Sequence, residues 1–219
     1  MNPERFRRLS AALERRQPDL TVLMERVHKS HNLSAILRNC DAVGVLEAHA
    51  VVPVEGLDIH AHTSAGTSKW VRIRRHASTE DAVRTLKESG FRILAAHPGA
   101  DAVDFRKVDF TEPTALMMGA ELLGLSERAL ELADLRVSIP MVGMAQSFNV
   151  SVATALLLFE AFRQREAAGM YEASRLESKE FDRTLFEWAY PRIALSFRAK
   201  GSSYPTISPD GDIGRIALD

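Results

Sequence analysis

The chain has 219 residues, of which 46% are hydrophobic and 26% are charged, and its formal net charge at pH 7 is −1. A chain of this length can bury a core without disulfide or metal support, and its near-neutral charge argues against a protein that coats nucleic acid indiscriminately. No apolar run approaches the ~20 residues that cross a membrane, and the Arg-rich start lacks the apolar segment of a secretion signal, so we expect a cytoplasmic protein with no membrane partner.

The predicted elements begin with a helix that starts at Asn2-Pro3 and extends to about Arg16. Strands are then predicted at 20–24, 48–52, 71–74, 93–96, 115–118 and 137–139, and helices at 32–44, 78–89, 126–133 and 149–168. From Leu176 the pattern is helical but less apolar, and the tail from Gly201 is expected to be mobile or ordered by a partner. Strands that alternate with helices predict an α/β fold, with a mostly parallel sheet flanked by helices.

Cysteine and histidine form no pattern that would hold a metal. Cys40 is the one cysteine of the chain, so it can form no internal disulfide, and its expected place is in helix packing. His60 and His62 are two residues apart, but no carboxylate or cysteine pattern completes a site around them. We therefore expect no metal.

Charged residues are unevenly distributed along the chain. Residues 1–30 are rich in arginine, a second basic group lies at Lys69, Arg72, Arg74 and Arg75, and the stretch 101–134 is acidic. Such segregation is typical of a protein with one RNA-facing surface, although a solvated charged surface would give the same pattern.

Three polar clusters, at 31–38, 119–124 and 139–153, lie where a predicted strand ends or a predicted helix begins. Asn32 is placed at a helix start, from which its side chain would project as a cap, and Arg38 is about 240° further around an ideal helix. A simple helix cap at Asn32 and a surface salt bridge at Arg38 are the alternatives. Together the three clusters define a candidate active site.

The common nucleotide-binding fingerprints are absent. No Gly-x-Gly-x-x-Gly follows the first strand and no Gly-Lys-Thr/Ser phosphate loop is present, which argues against a Rossmann-type oxidoreductase. Gly119, Gly124 and Gly143 would let a ligand approach the backbone closely, although ordinary turn packing explains such residues too.

The three clusters resemble, in order and placement, the sequence motifs of the SpoU-type RNA ribose 2′-O-methyltransferases of the SPOUT superfamily. The likeness extends from Arg15 to Ala161 and is closest to the subgroup that acts on guanosine 18 in the D-loop of tRNA. It implies S-adenosylmethionine as the cofactor, tRNA as a partner, a homodimer and a C-terminal trefoil knot. It also implies a cofactor pocket built from the loops 95–98, 118–124 and 139–148.

The resemblance further implies roles for individual residues. Arg38 matches the family's catalytic arginine, and the other residues assigned to the catalytic group are Asn32, Glu121, Ser147 and Asn149. The residues expected to bind the cofactor are Ala96, Met118, Gly119, Ile139, Met144 and Phe148. Whether Arg38 removes the hydroxyl proton or stabilises the developing charge is left open, because a guanidinium seldom gives up its proton.

Three parts of the chain are expected to divide the work. Residues 1–17 would form an N-terminal helical extension that binds tRNA, residues 18–168 the SPOUT catalytic domain, and residues 169–219 a C-terminal helical extension and tail. The alternatives are 2′-O-methylation of another tRNA or rRNA nucleotide, or an RNA-binding relative without catalytic activity. Leu122 and Leu123 depart from the polar or basic residues that relatives often carry at these positions.

Overall fold

The computed structural model describes residues 1–51 and 69–214. The chain forms two compact units, one made of Gln17–Met170 and the other of Met1–Arg16 together with Tyr171–Asp219. Val52, at the end of a predicted strand, and the pair His60 and His62 lie outside the described residues.

The unit Gln17–Met170 contains a parallel sheet with seven described strands. These are β1 (Leu20–Glu25), β2 (Glu47–Val51), β3 (Arg72–His76), β4 (Arg92–Ala96), β5 (Val103–Asp104), β6 (Thr114–Met118) and β7 (Leu135–Ser138). Their order across the sheet is β3-β2-β1-β6-β4-β7-β5, and all of the described pairings are parallel. The predicted parallel α/β sheet is confirmed, whereas the trefoil knot stays a prediction.

Four helices accompany the sheet in the described part of this unit: α2 (Ser30–Ala42), α3 (Thr79–Glu88), α4 (Glu127–Leu132) and α5 (Val150–Ala167). Successive residues of a strand point to opposite faces, so each central strand contributes to two apolar layers. Val22 packs in one layer with Leu37 of α2 and Leu158 of α5. Leu23 packs in the other layer, where Leu86 of α3 is buried. The sheet is therefore covered on both faces, as its continuous apolar strands predict.

The carboxyl ends of the strands meet at one edge of the sheet because the strands are parallel. The loops that follow β1, β4, β6 and β7 start at this edge. The loop after β1 leads into α2, which contains the cluster 31–38, and the other two clusters begin in the loops after β6 and β7. Helix α2 begins earlier than predicted, at Ser30, with Lys29 as its N-cap. The first helical bond runs from Leu33 N–H to the Lys29 carbonyl, so the prediction that Asn32 is the cap is wrong, and Asn32 lies inside the first turn.

The second unit contains α1 (Pro3–Glu14), α6 (Ser178–Ala189) and α7 (Pro191–Ala199). The tail, predicted to be mobile or ordered by a partner, is held within this unit as far as Gly214. The Tyr204 ring stacks on Phe186 with 4.5 Å between centroids, and the Tyr190 hydroxyl donates to the Gly211 carbonyl. No helix in the described ranges is long and apolar enough to cross a membrane.

Candidate active site

A cavity of about 300 Å³ opens among the loops at the carboxyl edge of the sheet. It is lined by residues from the ends of β4, β6 and β7 and the loops that follow them, within 96–98, 118–124 and 137–148, together with Val150, Ala153 and Leu157 of α5. These are the three loops in which the sequence predicts the cofactor pocket. Five of the six predicted cofactor residues line the cavity, namely Ala96, Met118, Gly119, Ile139 and Phe148. Met144 is the exception, because its side chain is fully exposed and does not line this space.

Two glycines give the loop after β6 its shape. Ala120 and Gly124 exchange two backbone hydrogen bonds, of 3.0 and 2.9 Å, and Gly124 adopts φ 66° in the left-handed region. A Cβ added to Gly119 would lie 2.2 Å from the carbonyl carbon of Gly124, so no larger residue fits there without displacing the backbone. The result is a tight loop that presents Glu121.

The structure brings three of the predicted catalytic residues into one hydrogen-bond network. The Asn32 side-chain amide donates to Glu121 Oε1 at 2.8 Å, and the Asn149 amide donates to Asn32 Oδ1 at 3.2 Å. Asn149 Oδ1 accepts from Ser151 N–H at 2.9 Å, so Asn149 also caps α5. The network thus connects the starts of α2 and α5 to the loop after β6.

The Glu121 carboxylate is almost entirely buried, with 7% of its side chain exposed. Burial raises the pKa of Glu121, but hydrogen bonds from Asn32 and from backbone N–H groups, with the nearby His28, outweigh burial and hold that pKa below its usual value. Glu121 Oε2 has no hydrogen-bond partner among the described residues, and His28 Nδ1 lies 3.7 Å from it. An ionised carboxylate therefore lines the cavity at neutral pH.

Arg38 and Ser147 occupy different positions relative to the cavity. Ser147 lines the cavity on the loop before α5. Arg38 is exposed on α2 and does not line it, and within residues 1–51 and 69–214 it forms no salt bridge or hydrogen bond. A single chain therefore brings Asn32, Glu121 and Asn149 together but leaves Arg38 apart from them.

His97 and Gln146 line the cavity but are not among the predicted site residues. Both lie within the predicted cofactor loops, so those loops were the only sequence signal that could have identified them. Their residue types alone do not indicate cofactor binding. No group of three His, Cys, Asp or Glu residues in the described part of the chain is placed to hold a metal ion.

The sequence matches family models along most of its length. Residues 19–159 match the SpoU rRNA Methylase family, and residues 163–215 match the C-terminal region of SpoU rRNA methylases. The first match alone spans more than half of the chain, and the matching region contains the three loops and the hydrogen-bond network described above. The protein belongs to the SpoU methylase family.

Individual relatives narrow this class. The chain is 51% identical over 215 residues to the tRNA (guanosine(18)-2′-O)-methyltransferase of Escherichia coli K12, covering 97% of this chain and 94% of the relative. The crystal structure of the A. aeolicus TrmH/SpoU tRNA modifying enzyme superposes with a TM-score of 0.79 at 44% identity, covering 87% of this chain and 97% of that one. An AdoMet-bound rRNA methyltransferase from Sinorhizobium meliloti superposes with a TM-score of 0.61 at 31% identity, over 70% of this chain and 59% of that one.

Proposed function

We propose that this protein transfers a methyl group from S-adenosylmethionine to the ribose 2′-hydroxyl of guanosine 18 in tRNA. The proposal is based on the hydrogen-bond network of Asn32, Glu121 and Asn149, in which Glu121 also lines the cavity. Similarity over nearly the whole chain to an enzyme with this activity supports tRNA, rather than rRNA, as the substrate.

The cavity has properties that suit S-adenosylmethionine. Its volume of about 300 Å³ is at the lower end of the range of small-molecule sites, and Met118, Ile139 and Leu157 supply apolar walls. Gly119 and Gly124 approach each other closely, which keeps the loop backbone at the cavity wall. Its N–H and C=O groups could form hydrogen bonds with an adenosine there. When bound, the cofactor supplies the methyl group. Ala96, Met118, Gly119, Ile139 and Phe148 would hold it.

The protein's own residues must orient the 2′-hydroxyl and favour loss of its proton. Glu121 is held ionised and fixed by Asn32, so it can accept a hydrogen bond from a substrate group. The Arg38 guanidinium can bind an RNA phosphate and stabilise the developing alkoxide. Alignment of the reacting groups supplies much of the rate enhancement in such a transfer.

A homodimer would complete the site. Apolar side chains stand exposed on α5 and on the cavity loops: Leu122, Leu123, Val142, Met144, Val152, Leu156 and Phe159. Large apolar side chains exposed in such number on one helix and the loops of one site are typical of a protein–protein interface. A second copy of the chain would cover it, and would offer its own Arg38 to a cavity that lacks one.

The two terminal segments are the proposed tRNA-binding extensions. Arg5, Arg7, Arg8 and Arg15 are exposed on and just after α1, and Arg192 and Arg198 belong to α7 in the same unit. Exposed arginines of this density can pair with phosphates along an RNA backbone. Because its substrate is tRNA, we place the protein in the cytoplasm.

Mapping of methylated nucleotides tests the proposal. Purified protein is incubated with S-adenosylmethionine and an unmodified tRNA transcript, and the 2′-O-methyl position is located by its resistance to alkaline cleavage. Methylation at guanosine 18 is expected. Methylation at another nucleotide of the tRNA would overturn guanosine 18 as the target, and binding of tRNA and cofactor without transfer would identify a relative that has lost catalysis.

A further inference from the structure

A second buried carboxyl group lies at the same edge of the sheet, outside the network of Asn32, Glu121 and Asn149. Glu25 is the last residue of β1 and only 1% exposed. Its Oε1 accepts hydrogen bonds from Thr79 Oγ1 and Ser126 Oγ, both at 2.7 Å, and its Oε2 accepts from Ser126 N–H at 2.8 Å. In the described part of the chain no cation pairs with it, so these three donors compensate its burial.

The position of Glu25 along the chain connects it to the first motif loop. Arg26, the next residue, turns the chain with φ 56° in the left-handed region, and His28 Nδ1 is 3.0 Å from the Arg26 carbonyl oxygen. The Lys29 N–H then reaches Glu121 Oε1 at 3.3 Å. Three residues further on, Asn32 enters the network.

Ser126 connects Glu25 to the second motif loop. It follows Gly124, which closes the loop that carries Glu121, by two residues. The Glu25–Ser126 bonds therefore join the two motif loops at their bases, while the Asn32–Glu121 bond joins them at their tips. Thr79 belongs to α3 and carries no motif residue, so its bond to the same Oε1 atom joins neither loop to the other.

We propose that Glu25 is a positioning residue for methyl transfer: by holding Ser126, it fixes the loop of Glu121 against the loop of Asn32. Glu25 does not line the cavity, so it acts through Glu121 and not on the substrate. The effect of Glu25 on kcat rests on the proposed function. The joining of the two loops by Glu25 does not depend on which substrate the protein methylates.

Two substitutions at Glu25 test whether its hydrogen bonds or its negative charge are required for methyl transfer. Glu25→Met keeps the side-chain length but accepts no strong hydrogen bond, and its kcat at saturating S-adenosylmethionine should fall roughly 10- to 100-fold, the range expected for a small misplacement of reacting groups. Its KM for tRNA should be unchanged. Glu25→Gln should restore kcat, because its carbonyl can accept from Ser126 N–H and its amide can donate to the two hydroxyl oxygens.

Two single-hydroxyl variants form the matched pair. Ser126→Ala and Thr79→Val each remove one 2.7 Å hydrogen bond to Glu25 Oε1. Ser126→Ala also removes the 3.1 Å bond that Ser126 Oγ accepts from Ala129 N–H at the start of α4. Only Ser126→Ala should lower kcat when the two are compared at temperatures equally far below their melting points. Equal loss in both would mean that Glu25 merely stabilises the fold, and a loss in Glu25→Gln as large as in Glu25→Met would mean that its charge matters instead. Either result overturns the proposal.

Hydrogen exchange provides the readout that does not depend on methyl transfer. Amides in 26–32 and 119–124 should exchange faster in Glu25→Met than in wild type, and no faster in Thr79→Val. Unchanged exchange in Glu25→Met would refute the inference even if the wild-type protein methylates tRNA. An inactive wild type whose Glu25→Met variant shows the faster exchange would refute the proposed function and leave the joining of the loops standing.

Discussion

At the scale of single residues, the site combines side chains that are held by hydrogen bonds with one arginine that is not. Asn32 and Glu121 are buried and hydrogen-bonded to each other, whereas Arg38 is exposed and has no partner in the described ranges. An unpaired guanidinium is available for an RNA phosphate, and its position costs the fold little. The fixed residues therefore define the site, and Arg38 is the group that substrate and partner would engage.

Arg38→Ala is predicted to abolish methyl transfer with little effect on S-adenosylmethionine binding, because Arg38 lies outside the cavity. Calorimetric titration of cofactor and single-turnover methylation measure the two effects. Arg128→Ala removes a comparably exposed arginine from α4 and should leave both unchanged. An Arg38→Ala enzyme with near-normal turnover at saturating tRNA would remove Arg38 from the catalytic group.

His49 gives the fold a pH dependence. Burial, with smaller contributions from His76 and Arg74, lowers the pKa of His49 from 6.5 to about 4. A histidine that is neutral when folded takes up a proton on unfolding, so its contribution to stability is complete above pH 6.5 and is lost as the pH falls toward 4. The full difference amounts to about 3 kcal/mol.

Urea unfolding at several pH values tests this prediction. The difference in unfolding free energy between wild type and His49→Gln should shrink as the pH falls from 7 through 5, approximately within the window set by the two pKa values. Leu195→Gln, at an exposed leucine, changes no titratable group; it serves as the control and should give a constant difference. A pH-independent difference for His49→Gln would contradict the lowered pKa.

At the scale of elements, the sequence predicts the strands and helices that depend on local hydrophobic periodicity and on helix-capping residues. The apolar runs of β1 and β6 and the N-caps of α3, α4 and α5 are encoded locally, and the bounds of these elements lie within about two residues of the predicted ones. The two-residue strand β5 has no local signal, since it exists only by pairing with β7.

Tertiary contacts explain the remaining differences. Arg165, near the end of α5, reads as a solvated residue in sequence but is fully buried, where it donates to Asp19 and to the carbonyl of Phe110. Glu25 likewise gives no signal in the sequence, because its donors are 54 and 101 residues away along the chain. The site could be predicted only as loops and motif residues. The bonds within it depend on how the sheet brings those loops together.

The loop after β6 yields an element-scale prediction. Gly119→Ala should displace this loop and weaken S-adenosylmethionine binding, because the added Cβ would lie within 2.4 Å of three backbone atoms of Gly124 and Leu125. Gly143→Ala is the matched control, since Gly143, contrary to the sequence prediction, does not line the cavity and nothing lies within 4 Å of its added Cβ. Both affinities can be measured by titration calorimetry. Equal affinity in the two variants would mean that the loop is not part of the cofactor site.

At the scale of the whole molecule, the exposed apolar side chains and the exposed arginines of the terminal segments are features typical of binding surfaces. The apolar side chains on α5 and the cavity loops lie beside the candidate site, and exposed arginines are concentrated in the other unit. The proposed second subunit would cover the apolar surface, and the proposed tRNA would bind the arginines.

The apolar surface predicts a homodimer at micromolar concentration. Phe159→Glu should produce a monomer with strongly reduced methyl transfer, because a charge replaces a side chain that is 64% exposed in the single chain. Leu195→Glu, at an equally exposed leucine of α7, should remain dimeric. Light scattering coupled to size-exclusion chromatography measures the mass. A fully active wild-type monomer would refute the dimeric site.

The exposed arginines of α1 predict a salt-dependent contribution to tRNA binding. The double substitution Arg7→Ala and Arg8→Ala should weaken tRNA binding and flatten the slope of log affinity against log salt, by about 0.7 to 0.9 for each phosphate that is no longer neutralised. Cofactor affinity and melting temperature should not change, since both side chains are exposed. An unchanged slope would mean that these arginines are only solvated surface.

The most direct test of the central claim compares two tRNAs that differ in a single oxygen. One carries guanosine at position 18, and the other carries 2′-deoxyguanosine there, in otherwise identical, chemically ligated molecules. With labelled S-adenosylmethionine, methyl incorporation should approach one methyl group per molecule in the first tRNA and should be absent from the second, although both bind. Equal incorporation into the two tRNAs would contradict ribose 2′-O-methylation of guanosine 18.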